Sequence, residues 1–385
     1  MVSGAAASYR PLAGVRVLDL GILIPAALLG HRLAALGAEV VKIEQRDRGD
    51  RIRFIPPYAE GESEQFQSHM WGRRSVELDL RDPDDLAMFR RLASVADVII
   101  ENQLAGSWAR LGLDLEALRR ERPQLVVCSL TGFGQTGPFA RLPSHGLNMD
   151  ALGDGLPLQE RDGQPRLAPT HTSLGNELGS LHAALAVVAA VLGARTTGEG
   201  AAIDVSCWDA LVESHRAEIA SSWRTGERVN AHDRAMGPLY DVYLSSDGRP
   251  VLFGALEPKF FERFCAGVGR PDLVSHHSGN DIEFGFGDDE LRRQLEPVFA
   301  SATAEEWQQR FVDWDVPGSA VLQLPDVMEL DHFAARGLVE GARGEWPNVM
   351  LPIRWQHVDE RAGAGMRPPP ALGADSEAVV AEWLG

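Results

Sequence analysis

Between Val15 and Glu44 the chain alternates in a way that few folds accommodate. Val15 to Leu20 (VRVLDL) is a short β-branched run, Pro25 to Leu36 has apolar residues at helical spacing, Gly37 stops that helix, and Glu39 to Glu44 (EVVKIE) is a second strand. The pattern predicts a βαβ unit. Further strand candidates are Asp97 to Ile100, Leu125 to Leu130 and Ala202 to Ser206, with helical segments such as Leu115 to Glu121 between them. Strands that alternate with helices predict an α/β fold with a mostly parallel sheet covered on both faces.

From about Gly237 the texture changes. Leu239 to Leu244 and Val251 to Phe253 flank a turn containing Ser246, Asp247 and Gly248, which is a hairpin signal, and helical stretches follow around Pro258 to Gly269 and Ala304 to Trp314. The expectation is a smaller α/β domain of about 100 residues. The Pro-, Gly- and Arg-rich tail from Pro347 to Pro370 reads as an ordered strap. With 385 residues, 44% of them hydrophobic, the chain is long and apolar enough for two domains.

A net charge of -18 argues against a nucleic-acid or anionic-membrane binder, which needs a basic face. Cys128, Cys207 and Cys265 lie far apart with no CxxC pair, so we expect a reducing compartment, no structural zinc and no metal. The start of the chain lacks a charged segment followed by an apolar run. The longest apolar stretch, Leu181 to Leu192, reads as too short to span a bilayer, and the expected location is the cytoplasm.

Four features carry candidate chemistry. Ser129 to Pro138 (SLTGFGQTGP) places three glycines after a buried strand, where Gly134, Gln135 and Thr136 offer backbone to an anion or oxyanion; the ordinary alternative is a chain-reversing turn. It is not a GxxxxGK[ST] loop. Gly175 to His182 (GNELGSLH) opens the most apolar helix, so Asn176 or Glu177 would meet the positive end of that helix, although Asn176 also reads as a plain N-cap. His145 and Glu257 come from different segments and suit an acid/base pair, against the commoner fates of a core histidine and a surface glutamate. Arg46, Arg51 and Arg53, with Arg73 and Arg74, form two basic clusters suited to a polyphosphate, or else to solvated surface charge.

In their order along the chain, PLAGVRVLDL, LGAEVVKIE, GDRIR, RRSVELDL, RLGLDLEALRRERPQLV, SLTGFGQTGP, RTTGEGAAIDVSCWDA, EPKFFERFCAGVGRPDL and PPPALGADS resemble the family III coenzyme A transferases of the CaiB/BaiF superfamily. That group includes formyl-CoA transferase and α-methylacyl-CoA racemase. The resemblance implies a large Rossmann-like domain from residues 1–220 with 325–385, a small inserted α/β domain over 225–320, and two subunits interlocked as rings in a homodimer. It also implies coenzyme A or acyl-CoA as substrate and a small carboxylic acid as partner, with Arg46, Arg51, Arg53, Arg73 and Arg74 at the nucleotide and Gly134, Gln135 and Thr136 near the thioester.

In the family's transferases an aspartate at a helix start becomes an aspartyl-CoA; in its racemases the aspartate works with a histidine, and a glutamate in a Glu-Pro motif supports them. Carried onto this chain, the aspartate position falls on Asn176, with Glu177 one residue away, while His145 and Glu257 match the racemase pattern. An amide is neither a carboxyl nucleophile nor a base. Leu104 and Trp71 also replace residues expected to help hold coenzyme A. The expected activities are therefore CoA transfer through a carboxylate at position 176, 2-methylacyl-CoA racemisation through an enolate, or acyl-CoA binding by a catalytically silent homologue.

Overall fold

The computed structural model describes residues 9–168, 172–229 and 236–385. The chain divides into two compact units, Met1–Ala220 with Gly337–Gly385, and Ser221–Arg336.

The first unit is built on six strands, β1 (Arg16–Asp19), β2 (Glu39–Glu44), β3 (Arg73–Glu77), β4 (Val98–Glu101), β5 (Val126–Thr131) and β6 (Ala202–Ser206). Their spatial order is β3-β2-β1-β4-β5-β6, and every neighbouring pair is parallel. Successive side chains of a strand point to opposite faces, so Val17 packs in one core with Leu29, Val40 and Val98, while Leu18 packs in the other with Val41, Phe89 and Ile99. Both faces are buried, which accounts for strands that read as nearly continuous apolar runs. In this order the sheet reverses direction between β1 and β4. The crevice beyond the carboxyl ends of those strands is where sheets of this kind bind ligands.

Three helices frame that crevice, α1 (Leu23–Ala35), α2 (Gly146–Leu152) and α3 (Leu174–Thr197), and α4 (Cys207–Ser214) packs against α3. Pro25 is tolerated in α1 because it lies in the first turn, where a backbone N–H would have no intrahelical acceptor. Ser173 caps α3 through its hydroxyl, and Gly198 ends the helix in the left-handed conformation. A Cβ at Gly179 would lie 2.7 Å from Cys207 Sγ, so glycine lets α3 cross close to the start of α4.

The apolar run Leu181–Leu192, expected to be too short to span a bilayer, is the middle of this 24-residue helix, which is long and apolar enough by length and composition to cross a membrane. In the fold Ala183, Ala184, Val187 and Val191 lie in the core of the first unit, while Leu181, Leu185 and Leu192 are more than half exposed on the outer face.

The second unit has an antiparallel sheet of β7 (Asp241–Leu244), β8 (Pro250–Phe253) and β9 (Gly318–Ala320), packed with α5 (Pro258–Gly267), α6 (Asp289–Phe299) and α7 (Ala304–Trp314). Its core is aromatic: Phe253 and Phe264 have ring centroids 4.4 Å apart, and Trp307 lies 4.8 Å from Phe299 while donating its indole N–H to the Phe299 carbonyl. After the second unit the chain returns through two short ladders, Val339–Glu340 with Asn348–Val349 and Arg354–Trp355 with Glu360–Arg361. It then enters α8 (Ser376–Leu384), which buries Val379 and Trp383 against the sheet of the first unit.

Candidate functional site

A cleft of about 560 Å³ opens in the first unit beyond the carboxyl ends of β1, β4 and β5. One wall is the β1–α1 loop, Ile22 to Pro25, and its shape is imposed by side chains beneath it. Asp19 accepts the N–H of Gly21 at 3.0 Å, Asn102 accepts that of Ile22 at 2.9 Å and returns its amide N–H to the Ile22 carbonyl, and Asp50 accepts that of Leu23 at 3.0 Å. Three consecutive peptides are thus gripped, and Leu23 is held at φ 63°, a conformation that costs a side-chain-bearing residue energy.

The gripping carboxylates are held from below. Lys42 lies 3.1 Å from Asp50 and 3.4 Å from Asp19, and also donates to the Gly21 carbonyl; Arg73 lies 3.3 Å from Asp19. Burial opposes the charge of Lys42, but Asp19, Asp50 and Glu44 outweigh it and raise its pKa. Buried charges of this kind are tolerated because each is paired and hydrogen-bonded.

That network decides the fate of the expected basic clusters. Arg73 has no exposed surface and gives its remaining hydrogens to the carbonyls of His69, Ala26 and Ala27. Arg53 forks onto Glu44 at 2.7 and 2.8 Å, Arg46 pairs with Asp85, and Arg74 is shared by Glu39 and Glu382. Arg51 is the exception. It is exposed, lines the cleft, and has no carboxylate partner among the described residues.

The opposite wall comes from α2 and α3. His145 sits at the N-cap of α2, with its backbone N–H donated to Asn148 Oδ1 at 2.7 Å, and lines the cleft. Asn176 lies in the first turn of α3 and lines it too, at 6% exposure. The two are packed through Gly146, where a Cβ would lie 2.5 Å from Asn176 Nδ2 and 2.6 Å from Ser173 Oγ. Glu177 is absent from the lining; it pairs with Arg32 at 2.8 Å. Glu257 is the N-cap of α5 in the second unit.

Sequence reasoning overlooked Asp150. This fully buried residue on α2 accepts the N–H groups of Leu174 and Gly175 at 3.0 and 2.9 Å, so a carboxylate already answers the positive end of α3. The only hint in the sequence is an aspartate two residues after Asn148 in an otherwise apolar helix.

In the glycine loop, Gly132 reaches the cleft. Gly134 adopts φ 81°, and the next N–H, that of Gln135, is taken by Asp204 at 3.0 Å. The Gln135 side chain faces an adjoining cavity of about 480 Å³ beside Glu101 and Trp108, and Thr136 is exposed. Glu101 accepts from Gln103 N–H and Trp108 Nε1–H, and burial raises its pKa. Leu104 lines both cavities, whereas Trp71 is buried away from them.

Among the described residues no aspartate or glutamate lines the main cleft, and no group of three His, Cys, Asp or Glu is placed to hold a metal. The family model described as CoA-transferase family III matches residues 12–376. The chain belongs to CoA-transferase family III.

Within that family it is 32% identical over 333 residues to the α-methylacyl-CoA racemase of Homo sapiens, covering 85% of this chain and 81% of the relative. It is 29% identical over 395 residues to the succinate–glutarate CoA-transferase of Agrobacterium fabrum, covering 97% and 95%. Among solved structures, a CAIB/BAIF family protein from Brucella suis superposes with a TM-score of 0.81 at 25% identity, covering 98% of this chain and all of that one. The α/β fold with its parallel central sheet is thus the fold of the CaiB/BaiF proteins.

Proposed function

We propose that this chain processes acyl-CoA thioesters, and that as it stands it moves the α-proton of an apolar acyl group with His145. One observation carries the choice of reaction: among the described residues His145 lines the cleft and no carboxylate does, the family's aspartate position being Asn176 by the resemblance. An imidazole can both accept and return a proton, and suits proton transfer from a carbon next to a thioester carbonyl. Covalent CoA transfer needs a carboxylate nucleophile instead. The apolar walls, with Ile22, Ile24, Ile55, Leu130 and Met149, suit an uncharged acyl chain, and leave Arg51 as the cation available to a phosphate of coenzyme A. By the resemblance, Glu257 keeps a supporting role.

The second reading is CoA transfer to a small carboxylic acid after restoration of the carboxylate by Asn176→Asp. It draws on the relatives named as CoA-transferases and on the place of Asn176 in the first turn of α3. Incubating the protein and its Asn176→Asp variant with branched acyl-CoAs in deuterated water, with and without free acids, separates the readings by product mass. Deuteration at the α-carbon without an acceptor supports the first. Transfer by the variant alone supports the second, and binding without either product supports a silent homologue.

We further propose that the two units are the large and small domains of an intertwined homodimer. The exposed leucines along α3 support this, because contiguous apolar surface of that kind calls for a partner. Light scattering at micromolar concentration tests it, and a monomeric mass refutes it.

A further inference from the structure

Two side chains in the cleft have polar atoms that nothing in the fold answers. Thr131, the last residue of β5, is 5% exposed, and its hydroxyl has no hydrogen-bond partner. Asn176 is as deeply buried; its Oδ1 has no partner, and none of the described residues accepts from its Nδ2. Buried hydroxyls and amides are nearly always hydrogen-bonded, and those left open at a cavity wall are free to meet water or the polar atoms of a ligand. Both residues line the same cleft, together with His145.

From this we infer that Thr131 and Asn176 form a neutral two-donor grip on the thioester carbonyl oxygen of the acyl-CoA. The inference rests on the acyl-CoA reading above and gives Asn176 a role of its own, as a hydrogen-bond donor where relatives are expected to carry a nucleophile. A carbonyl oxygen accepts two hydrogen bonds, and the threonine O–H and the amide Nδ2–H supply one each. When the α C–H bond breaks, its proton goes to the His145 imidazole and its electron pair moves through the carbon to the carbonyl oxygen, giving an enolate. The same two donors then face a full negative charge, and hydrogen bonds to a charged oxygen are the stronger kind. Return of the proton to carbon reverses the step, so no co-reactant is needed. With an amide at position 176 both donors are neutral, and no carboxylate stands there to accept an acyl group.

The test uses a branched acyl-CoA and the matching S-alkyl-CoA thioether, which lacks the carbonyl oxygen, with affinities measured by calorimetry on the full chain. The wild-type protein is expected to bind the thioester at least tenfold more tightly than the thioether. Thr131→Val removes the hydroxyl at nearly constant shape, and should reduce that preference to threefold or less while leaving thioether affinity within twofold. Thr131→Ser should restore the preference, and Asn176→Leu should abolish it. Equal affinity for the two ligands in the wild type, or an unchanged preference in both Thr131→Val and Asn176→Leu, overturns the pair and leaves the acyl-CoA reading standing. If neither ligand binds the wild type, the acyl-CoA reading falls and the pair falls with it. Should Thr131→Val fail to fold, Thr131→Ala, which also removes the hydroxyl, and Asn176→Leu decide on the same criterion.

Discussion

Asp150 Oδ1 accepts the backbone N–H of Gly175 at 2.9 Å, which clips the helix headed by His145 to the start of the helix that presents Asn176. Removing this carboxylate strands the buried N–H of Gly175 and the half-buried N–H of Leu174. Asp150→Ala should cost about 2 kcal/mol of stability in urea titration. Asp150→Asn, which keeps one acceptor oxygen, should cost less.

The two arginines Arg73 and Arg51 should separate cleanly. Arg73→Met leaves Asp19 buried with a poorer set of partners and should lower stability by on the order of 3 kcal/mol. Arg51→Ala should leave the unfolding midpoint nearly unchanged and weaken coenzyme A binding about tenfold by calorimetry, the order of one charge-assisted contact.

Acid should destabilise the protein through His31. Burial first, and then the charges of Arg73, His69 and Arg32, push its pKa from an ordinary 6.5 down to about 3. Below pH 6.5 the unfolded chain binds a proton that the folded chain refuses. Stability is therefore lost as pH falls, with a slope approaching 1.4 kcal/mol per pH unit until about pH 3. Denaturant midpoints at pH 7, 6 and 5 should show the loss, and His31→Leu should flatten it.

The thiols should be silent. Burial drives Cys128, Cys207 and Cys265 up to about 12, so a thiol reagent at pH 8 should label none of them in the native protein and all three after unfolding.

Local periodicity carried much of the fold. Glu39–Glu44, Leu115–Glu121, Ala202–Ser206 and Ala304–Trp314 run as the pattern predicts, because each is bounded by a turn residue or a cap. Other strands move by a residue, as with Val98–Glu101, where Asp97 instead accepts the N–H of Arg16 outside the ladder. The arginines were less legible. Nothing in a run of sequence distinguishes Arg73, which faces inward from β3, from Arg51, which faces the cleft; that difference arises only when Asp19 and Lys42 on neighbouring strands are brought alongside. Asp150 was hidden for the same reason, since its partners lie 24 and 25 residues further along the chain.

Because the strand order reverses between β1 and β4, the residues facing the cleft come from strand ends, loops and the first turns of helices. The scaffold and the chemistry can therefore diverge at different rates. Carboxylate and carboxamide have nearly the same shape, so a single-base change in a codon at position 176 exchanges one for the other without disturbing a strand. A lineage built on such a frame can change the chemistry of its cleft without rebuilding the protein around it.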